Sequence, residues 1–389
     1  MSGAAGGLRI VRLANFVTAR SGGLRTALRH LGEGYRAAGH EPVLVIPGQR
    51  AADESYPWGR VVTLPGPELP GSGGYRLLAG RRRLARLLVD LAPDRLEVSD
   101  RLSLRWTGRW ARAHGVPSVM VSHESLTGLL GQWGVPDALR RPTADRLNRA
   151  TSRAYDRIVC TTRWAAEEFD RIGADNVDLV PLGVDLDTFH PDQADPRLRA
   201  RYADPDELLL VHCARLSPEK RPELAVQALA ELLREGVPAV LVMAGDGPLR
   251  GALARRAAGL PVTFTGFLPD RAAVAALLAS ADVVLAPGPV ETFGLAGLEA
   301  LACGTPVVVN AASALPEVVG AAGLAAYGSG VSMAAAVTRL AARPEAQRRR
   351  AARERAEEFG WPAAVAGLLR VHDADAPRGT PSEVCHRTA

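Results

Sequence analysis

The chain has 389 residues, 47 % apolar and 23 % charged, which suits a water-soluble globular protein with room for two domains. No uncharged apolar run of about 18 residues occurs, the start MSGAAGGLRIVRL is unlike a secretory signal, and Cys160, Cys213, Cys303 and Cys385 form no C-x-x-C pair, so a cytoplasmic chain without disulfides or zinc is expected. The formal charge is +5, yet of 47 basic residues only Lys220 is a lysine, which makes it a candidate for work that needs a compact ammonium.

Short β-rich runs alternate with longer helix-period segments along the chain. From the amino end the strand candidates are LRIVRLANF, PVLVIPG, RLEVSD, PSVMVSH and RIVCTT, followed by LLLVHCAR, AVLVMAG, VTFTGFL, DVVLAPG and PVVVNA. Segments such as PELAVQALAELLREG and AAVAALLASA carry the helical period between them. This order predicts an α/β protein of parallel sheets with helices on both faces. VPLGVDLDTFHPDQADPRLRA, rich in Asp and Pro, reads as a connector. The expected units are 1–188, 189–372 and a polar, disordered tail at 373–389. Two doubly wound halves leave a cleft, and ligands of such sheets sit beyond the carboxyl ends of the strands.

Three stretches carry chemistry. In ANFVTARSGGLRTALRHL a strand leads through Ser21, Gly22 and Gly23 into a helix, so backbone amides can approach a phosphate; the G-x-G-x-x-G of dinucleotide folds is missing. In HCARLSPEKRPELA, Arg215 ends a strand and Lys220 follows in a loop containing Pro218. Both cations can converge on a diphosphate, the guanidinium as a fork and the ammonium as a point charge. There they would stabilise charge developing on a leaving phosphate.

The third stretch, PGPVETFGLAGLEALACGTPVVV, puts Glu291 just before a helix and Glu299 inside it. The amides of Phe293, Gly294 and Leu295 stand at the amino end of that helix, where anions are favoured. The two carboxylates are roughly 12 Å apart along the helix, similar to the reach of a sugar nucleotide from hexose to ribose. Carboxylates accept hydrogen bonds from hydroxyls. A buried, unpaired carboxylate is costly, and a bound polyol would remove that cost.

These pieces, in this order, resemble the retaining nucleotide-sugar glycosyltransferases of glycosyltransferase family 4, from Leu8 to about Leu369, with ARLSPEK and ETFGLAGLE the most specific parts. The resemblance implies the GT-B fold: two doubly wound Rossmann-like domains facing a central cleft, the first for the acceptor and the second for the donor, with the last helix able to cross back. It implies that Glu291 faces the donor sugar, Glu299 holds the ribose, and Arg215 and Lys220 bind the diphosphate. His123 of VSHES matches a family histidine beside the sugar. Gly245 and Gly247 of AGDGPL match a family loop. FTGFLPD looks like the base-binding turn, with Leu268 against the base and Asp270 able to accept from the N–H edge of guanine.

The runs SGGLRTAL, LEVSDRLSLR and APGPVETFGLAGLEALACGTP look like a GDP-mannose-dependent branch that acts on mannosylated inositol phospholipids. The resemblance therefore implies mannose transfer from GDP-mannose to a glycolipid with retention of configuration, needing no cofactor and no metal. Asp185-Leu186-Asp187 is a D-x-D triplet of the kind used with manganese in the other major glycosyltransferase fold, but it sits in the connector. Independently, YRLLAGRRRLARLLVDLAP sets Arg81, Arg82, Arg83 and Arg86 beside leucines, as in a basic amphipathic helix on an anionic bilayer, although Gly80 weakens a helix there. The expected location is cytoplasmic, with peripheral attachment to the inner face of the plasma membrane; no nucleic-acid partner is expected. The alternatives are a UDP-sugar enzyme with a soluble acceptor such as inositol phosphate or a natural-product aglycone, and a GT-B-type sugar-nucleotide epimerase.

Overall fold

A computed structural model describes residues 7–17, 22–69 and 74–373. Ser21, Cys385 and the tail beyond Asp373 lie outside them. The first strands are β1 (Arg9–Leu13), β2 (Glu41–Gly48), β3 (Ala52–Tyr56), β4 (Gly59–Pro65), β5 (Arg95–Val98), β6 (Ser118–Ser122), β7 (Arg157–Cys160) and β8 (Val177–Leu179). Among the described residues they form one sheet in the order β3-β4-β2-β1-β5-β6-β7-β8, parallel except for the β3–β4 hairpin. The second set is β9 (Leu208–Cys213), β10 (Ala239–Ala244), β11 (Val262–Gly266), β12 (Val283–Ala286), β13 (Val307–Asn310) and β14 (Leu324–Ala326). Its sheet runs β11-β10-β9-β12-β13-β14, all parallel.

The continuous apolar strands follow from this architecture. β10 is buried at every position because helices cover both faces of its sheet. In each sheet the strand order reverses at one point, between β1 and β5 and between β9 and β12. The crevice beyond the carboxyl ends at such a reversal is where a ligand fits. In the second sheet those ends lead into the loops carrying Arg215 and Glu291.

The connector leaves β8 and crosses to the second lobe beside a returning segment, where Val184 pairs with Gly360 in a parallel bridge and its amide bonds Phe359 O at 2.8 Å. The returning segment begins the helix Trp361–Val371, which packs on the first lobe: His30 stacks on Trp361 with ring centroids 4.8 Å apart. The end of that helix meets a buried ionic group. Glu97 accepts from Arg12 at 2.9 Å and Tyr35 at 2.8 Å, with His372 Nε2 at 3.3 Å.

The basic segment differs from its sequence reading. The helix starts only at Arg81, and Gly80 precedes it with φ +84° as its left-handed cap rather than weakening it from inside. Leu84, Leu88 and Leu91 point into the core of the first lobe, while Arg81, Arg82, Arg83 and Arg86 are exposed. The apolar side is therefore used for folding and is not free to enter a bilayer.

Candidate active site

Beyond β9 the chain passes through Arg215 into a single turn of 3-10 helix, Pro218–Lys220. Lys220 Nζ forms an ion pair with the Glu291 carboxylate. Burial alone would lower the ammonium's pKa, but Glu291's charge and hydrogen bond outweigh it, so the pKa is raised and Lys220 stays charged. Both side chains remain open to the cleft, 30 % and 22 % exposed.

Gly245 and Gly247 support this loop from behind. A Cβ on Gly245, whose φ is +146°, would sit 2.0 Å from Ala214 O, and one on Gly247 would sit 2.4 Å from Leu216 O. Leu216 in turn donates its amide to Asp246 O at 3.0 Å. The two glycines thus fix the backbone on either side of Arg215.

The loop from β12 brings the lobes together. Thr292 Oγ1 donates to His123 O at 2.7 Å, and Thr292 O accepts from Thr161 Oγ1 at 3.2 Å and Thr162 Oγ1 at 2.9 Å. Glu317 adds a second tie, accepting from the amides of Arg163 and Trp164 at 2.9 and 3.1 Å. His123 is therefore held at the end of β6 next to the segment that carries Glu291. Burial pushes its pKa down to about 4, so its ring is neutral at pH 7 and can both donate to and accept from a hydroxyl.

Gly294, with φ +79°, caps the helix Leu295–Ala302, and Phe293 is buried just before it. First-turn amides of a helix have no internal acceptor and face outward as anion donors. Leu295 lies against the glycine turn of the other lobe: a Cβ on Gly23 would be 3.4 Å from Leu295 Cδ1. Gly22 caps the helix Gly23–Ala37. The two glycine-rich helix starts therefore meet across the cleft.

Glu299 is not unpaired. Arg271 Nη2 donates to it at 3.1 Å, and the same guanidinium lies 4.7 Å from the Phe189 ring centroid. Burial still raises the Glu299 pKa, with Arg271 opposing and Asp185 adding to the rise. A bound polyol is thus not required to explain either carboxylate: each has a cation.

Residues 22–185 match the family model described as a glycosyl transferase 4-like domain, and residues 207–343 match that of glycosyl transferases group 1. A GDP-mannose-dependent alpha-(1-6)-phosphatidylinositol dimannoside mannosyltransferase of Mycobacterium tuberculosis is 53 % identical over 365 residues, covering 93 % of this chain and 95 % of the relative. This chain belongs to glycosyltransferase family 4. A GDP-mannose-dependent alpha-mannosyltransferase of Mycolicibacterium smegmatis is 30 % identical over 94 % of this glycosyltransferase and 97 % of its own length. Among solved structures, sucrose-phosphate synthase from Thermosynechococcus elongatus superposes with a TM-score of 0.75 at 21 % identity, covering 94 % of this chain and 98 % of that one. WaaG, a glycosyltransferase involved in lipopolysaccharide biosynthesis, gives 0.69 at 16 % identity, covering 93 % and 99 %. Both structures have the GT-B fold that the glycosyltransferase adopts.

Several residues of the glycosyltransferase take positions its sequence did not suggest. Asp270 is exposed and caps the helix Arg271–Ser280 by accepting from Ala272 N at 2.9 Å, so a helix end already uses one of its oxygens. Leu268 is half-buried in the preceding turn. Asp185 likewise caps a turn, accepting from Thr188 N at 3.0 Å. Arg271, Thr292 and Glu124 were not singled out in the motifs. Glu124 follows His123, and burial pushes its carboxyl up to about 7, with Arg101 opposing and Asp100 adding. Only Arg271 had a usable signal, as a cation at the first turn of a helix that starts directly after the FTGFLPD motif.

Proposed function

We propose that this glycosyltransferase transfers mannose from GDP-mannose to a phosphatidylinositol mannoside, keeping the α configuration. The observation that carries the reading is the 53 % identity to the mycobacterial enzyme of that name across nearly the whole of both chains. The grouping of Arg215, Lys220, Glu291 and the Leu295 helix start around the strand-order reversal supports it.

In this reading the diphosphate lies against Arg215, Lys220 and the amides of Phe293, Gly294 and Leu295. The bond from the anomeric carbon to the diphosphate oxygen breaks as a bond to an acceptor oxygen forms on the same face, and the leaving GDP takes the acceptor's proton. Fixed cations and helix amides oppose the charge that grows on the diphosphate, which is where stabilisation raises kcat. Glu291, oriented by Lys220, and neutral His123 hold hydroxyls of the transferred sugar. Glu299 holds the ribose, with Arg271 exchanging its contact as the donor enters. Leu268 and the backbone of its turn meet the base, and Asp270 reads guanine with its free oxygen. The charge terms come from protein groups alone, and activity unchanged by EDTA is the expected result.

A glycolipid acceptor places the enzyme at an anionic membrane surface. The exposed arginines Arg81, Arg82, Arg83 and Arg86 supply attraction of about 1 kcal/mol each. Since the apolar side of their helix is buried, apolar contact falls to Trp133, 61 % exposed at the end of the helix Leu126–Gln132, and Leu139, 56 % exposed in the first turn of the helix Asp137–Ser152. Sedimentation with anionic liposomes at low salt, lost in the fourfold Arg→Glu variant, tests this part. No helix among the described residues is long and apolar enough to cross a membrane.

The reading as a whole is tested by offering GDP-mannose, UDP-glucose and UDP-N-acetylglucosamine with an actinobacterial lipid extract. A mannosylated inositol phospholipid from GDP-mannose is expected. A UDP-sugar product on a soluble acceptor would replace this reading.

A further inference from the structure

Arg215 belongs to the second lobe, but the group its side chain stacks on belongs to the first. The Tyr75 ring lies under the Arg215 guanidinium, 5.2 Å from Cζ to the ring centroid. Tyr75 also contributes to the electrostatics of Lys220.

The loop bearing Tyr75 is tied to the first lobe. Tyr75 O accepts from Leu69 N at 2.8 Å, and Leu77 N donates to Pro67 O at 3.1 Å. Leu78 N donates to Asn15 Oδ1 at 2.7 Å, and Asn15 Nδ2 is bound in turn to Asp100 at 2.6 Å. The Tyr75 ring meets Phe16 edge to face, with centroids 5.9 Å apart. Asn15 and Phe16 follow β1 directly, at the carboxyl end where that sheet reverses its order. The ring is thus held by the first lobe and presented to the second.

We propose that Tyr75 is a positioning residue for the Arg215 fork, so that the diphosphate clamp is complete only when the two lobes are closed. This rests on the reading that Arg215 and Lys220 take a nucleoside diphosphate. An aromatic face fixes a guanidinium plane through the ring rather than through its N–H donors. It also keeps water off one side of the cation, which strengthens the cation's interaction with a phosphate. Lobe closure and donor binding then become one event, because the second lobe alone holds Arg215 less well aimed.

The test is a double-mutant cycle read in GDP affinity by calorimetry on the full chain. Tyr75→Leu should weaken GDP roughly 5- to 30-fold, the range of a partly desolvated cation–π contact. Tyr75→Phe, which keeps the ring, should stay within about threefold of wild type. On an Arg215→Ala background, Tyr75→Leu should change GDP affinity by less than about twofold, because the group it positions is gone. Additive losses, or a Phe variant as weak as the Leu variant, would overturn the inference. Tyr75→Gln provides a second ring-less variant should the leucine one fold poorly. If the wild-type protein binds no nucleoside diphosphate, it is the reading of the clamp that fails.

Discussion

Replacing Lys220 with methionine removes one charge while keeping most of the side-chain length. For folding this is a small change. The ion pair with Glu291 is part exposed at both ends, so it contributes at most about 1 kcal/mol, and Tm should fall by no more than about 3 °C. For catalysis it is a large one. In the proposed reading the lost ammonium faces charge that grows on the leaving diphosphate, and removal of one such group costs about 3–4 kcal/mol, or roughly 10²–10³-fold in kcat. Affinity for GDP itself should drop less, about tenfold, since Arg215 and the Leu295 helix amides remain. GDP release from GDP-mannose in the presence of glycolipid gives kcat, titration calorimetry gives the GDP affinity, and scanning calorimetry gives Tm. A variant with unchanged Tm and a kcat within threefold of wild type would refute the assignment of leaving-group charge to Lys220.

Gly245→Ala should weaken GDP binding at least as much as it lowers Tm, because its methyl group would displace the Ala214 carbonyl next to Arg215; a fall in Tm with normal GDP affinity counts against the supporting role. Arg271→Ala leaves Glu299 mostly buried without its cation, and after discounting for exposure at the pair about 1–2 kcal/mol of stability should be lost. Urea unfolding measures that loss, and no change in midpoint would show the pair to be idle. Glu97 gives a pH prediction. Burial pushes its carboxyl up, but Arg12, with hydrogen bonds from His372 and Tyr35, more than offsets this and holds it well below the usual range. A depressed folded-state pKa gives stability that is present above about pH 4.5 and lost as pH falls below it. Wild-type Tm should therefore drop more steeply than that of Glu97→Gln between pH 5.5 and 3.5, and parallel slopes would contradict the account.

The fold was legible where strands are buried on both faces. LLLVHC and AVLVMA stand out because a parallel sheet covered by helices needs continuous apolar runs. Three of the four strands not expected from the sequence lack that signal; the fourth, β4, reads GRVVTLP and carries it. β3 reads ADESY because it is an exposed edge, and β8 and β14 have three residues each. At the candidate site, the lone lysine and Glu291 drew attention to two loops that the structure joins by an ion pair. What pairs with those groups was not legible, since Arg271 and Tyr75 reach them from elements remote in sequence; Arg271 alone had a local cue, its place at the first turn of a helix, and Tyr75 had none. The arginine-rich helix misled for the opposite reason. Its leucines have the period of a membrane-lying face, but the same period serves a helix packed on a protein core, and only the neighbours decide which.

The helix Trp361–Val371 has a consequence for how the molecule is made. Arg95 Nε donates to His372 O at 2.6 Å across 277 residues of chain, so a helix that seals the first lobe is made only after the whole second lobe. Until then Trp361's place against His30 is vacant, and an apolar strip on an early-made domain waits through synthesis of the entire later one. Cutting the gene at the connector would therefore yield an aggregation-prone amino-terminal fragment, whereas supplying residues 359–373 in trans should rescue it.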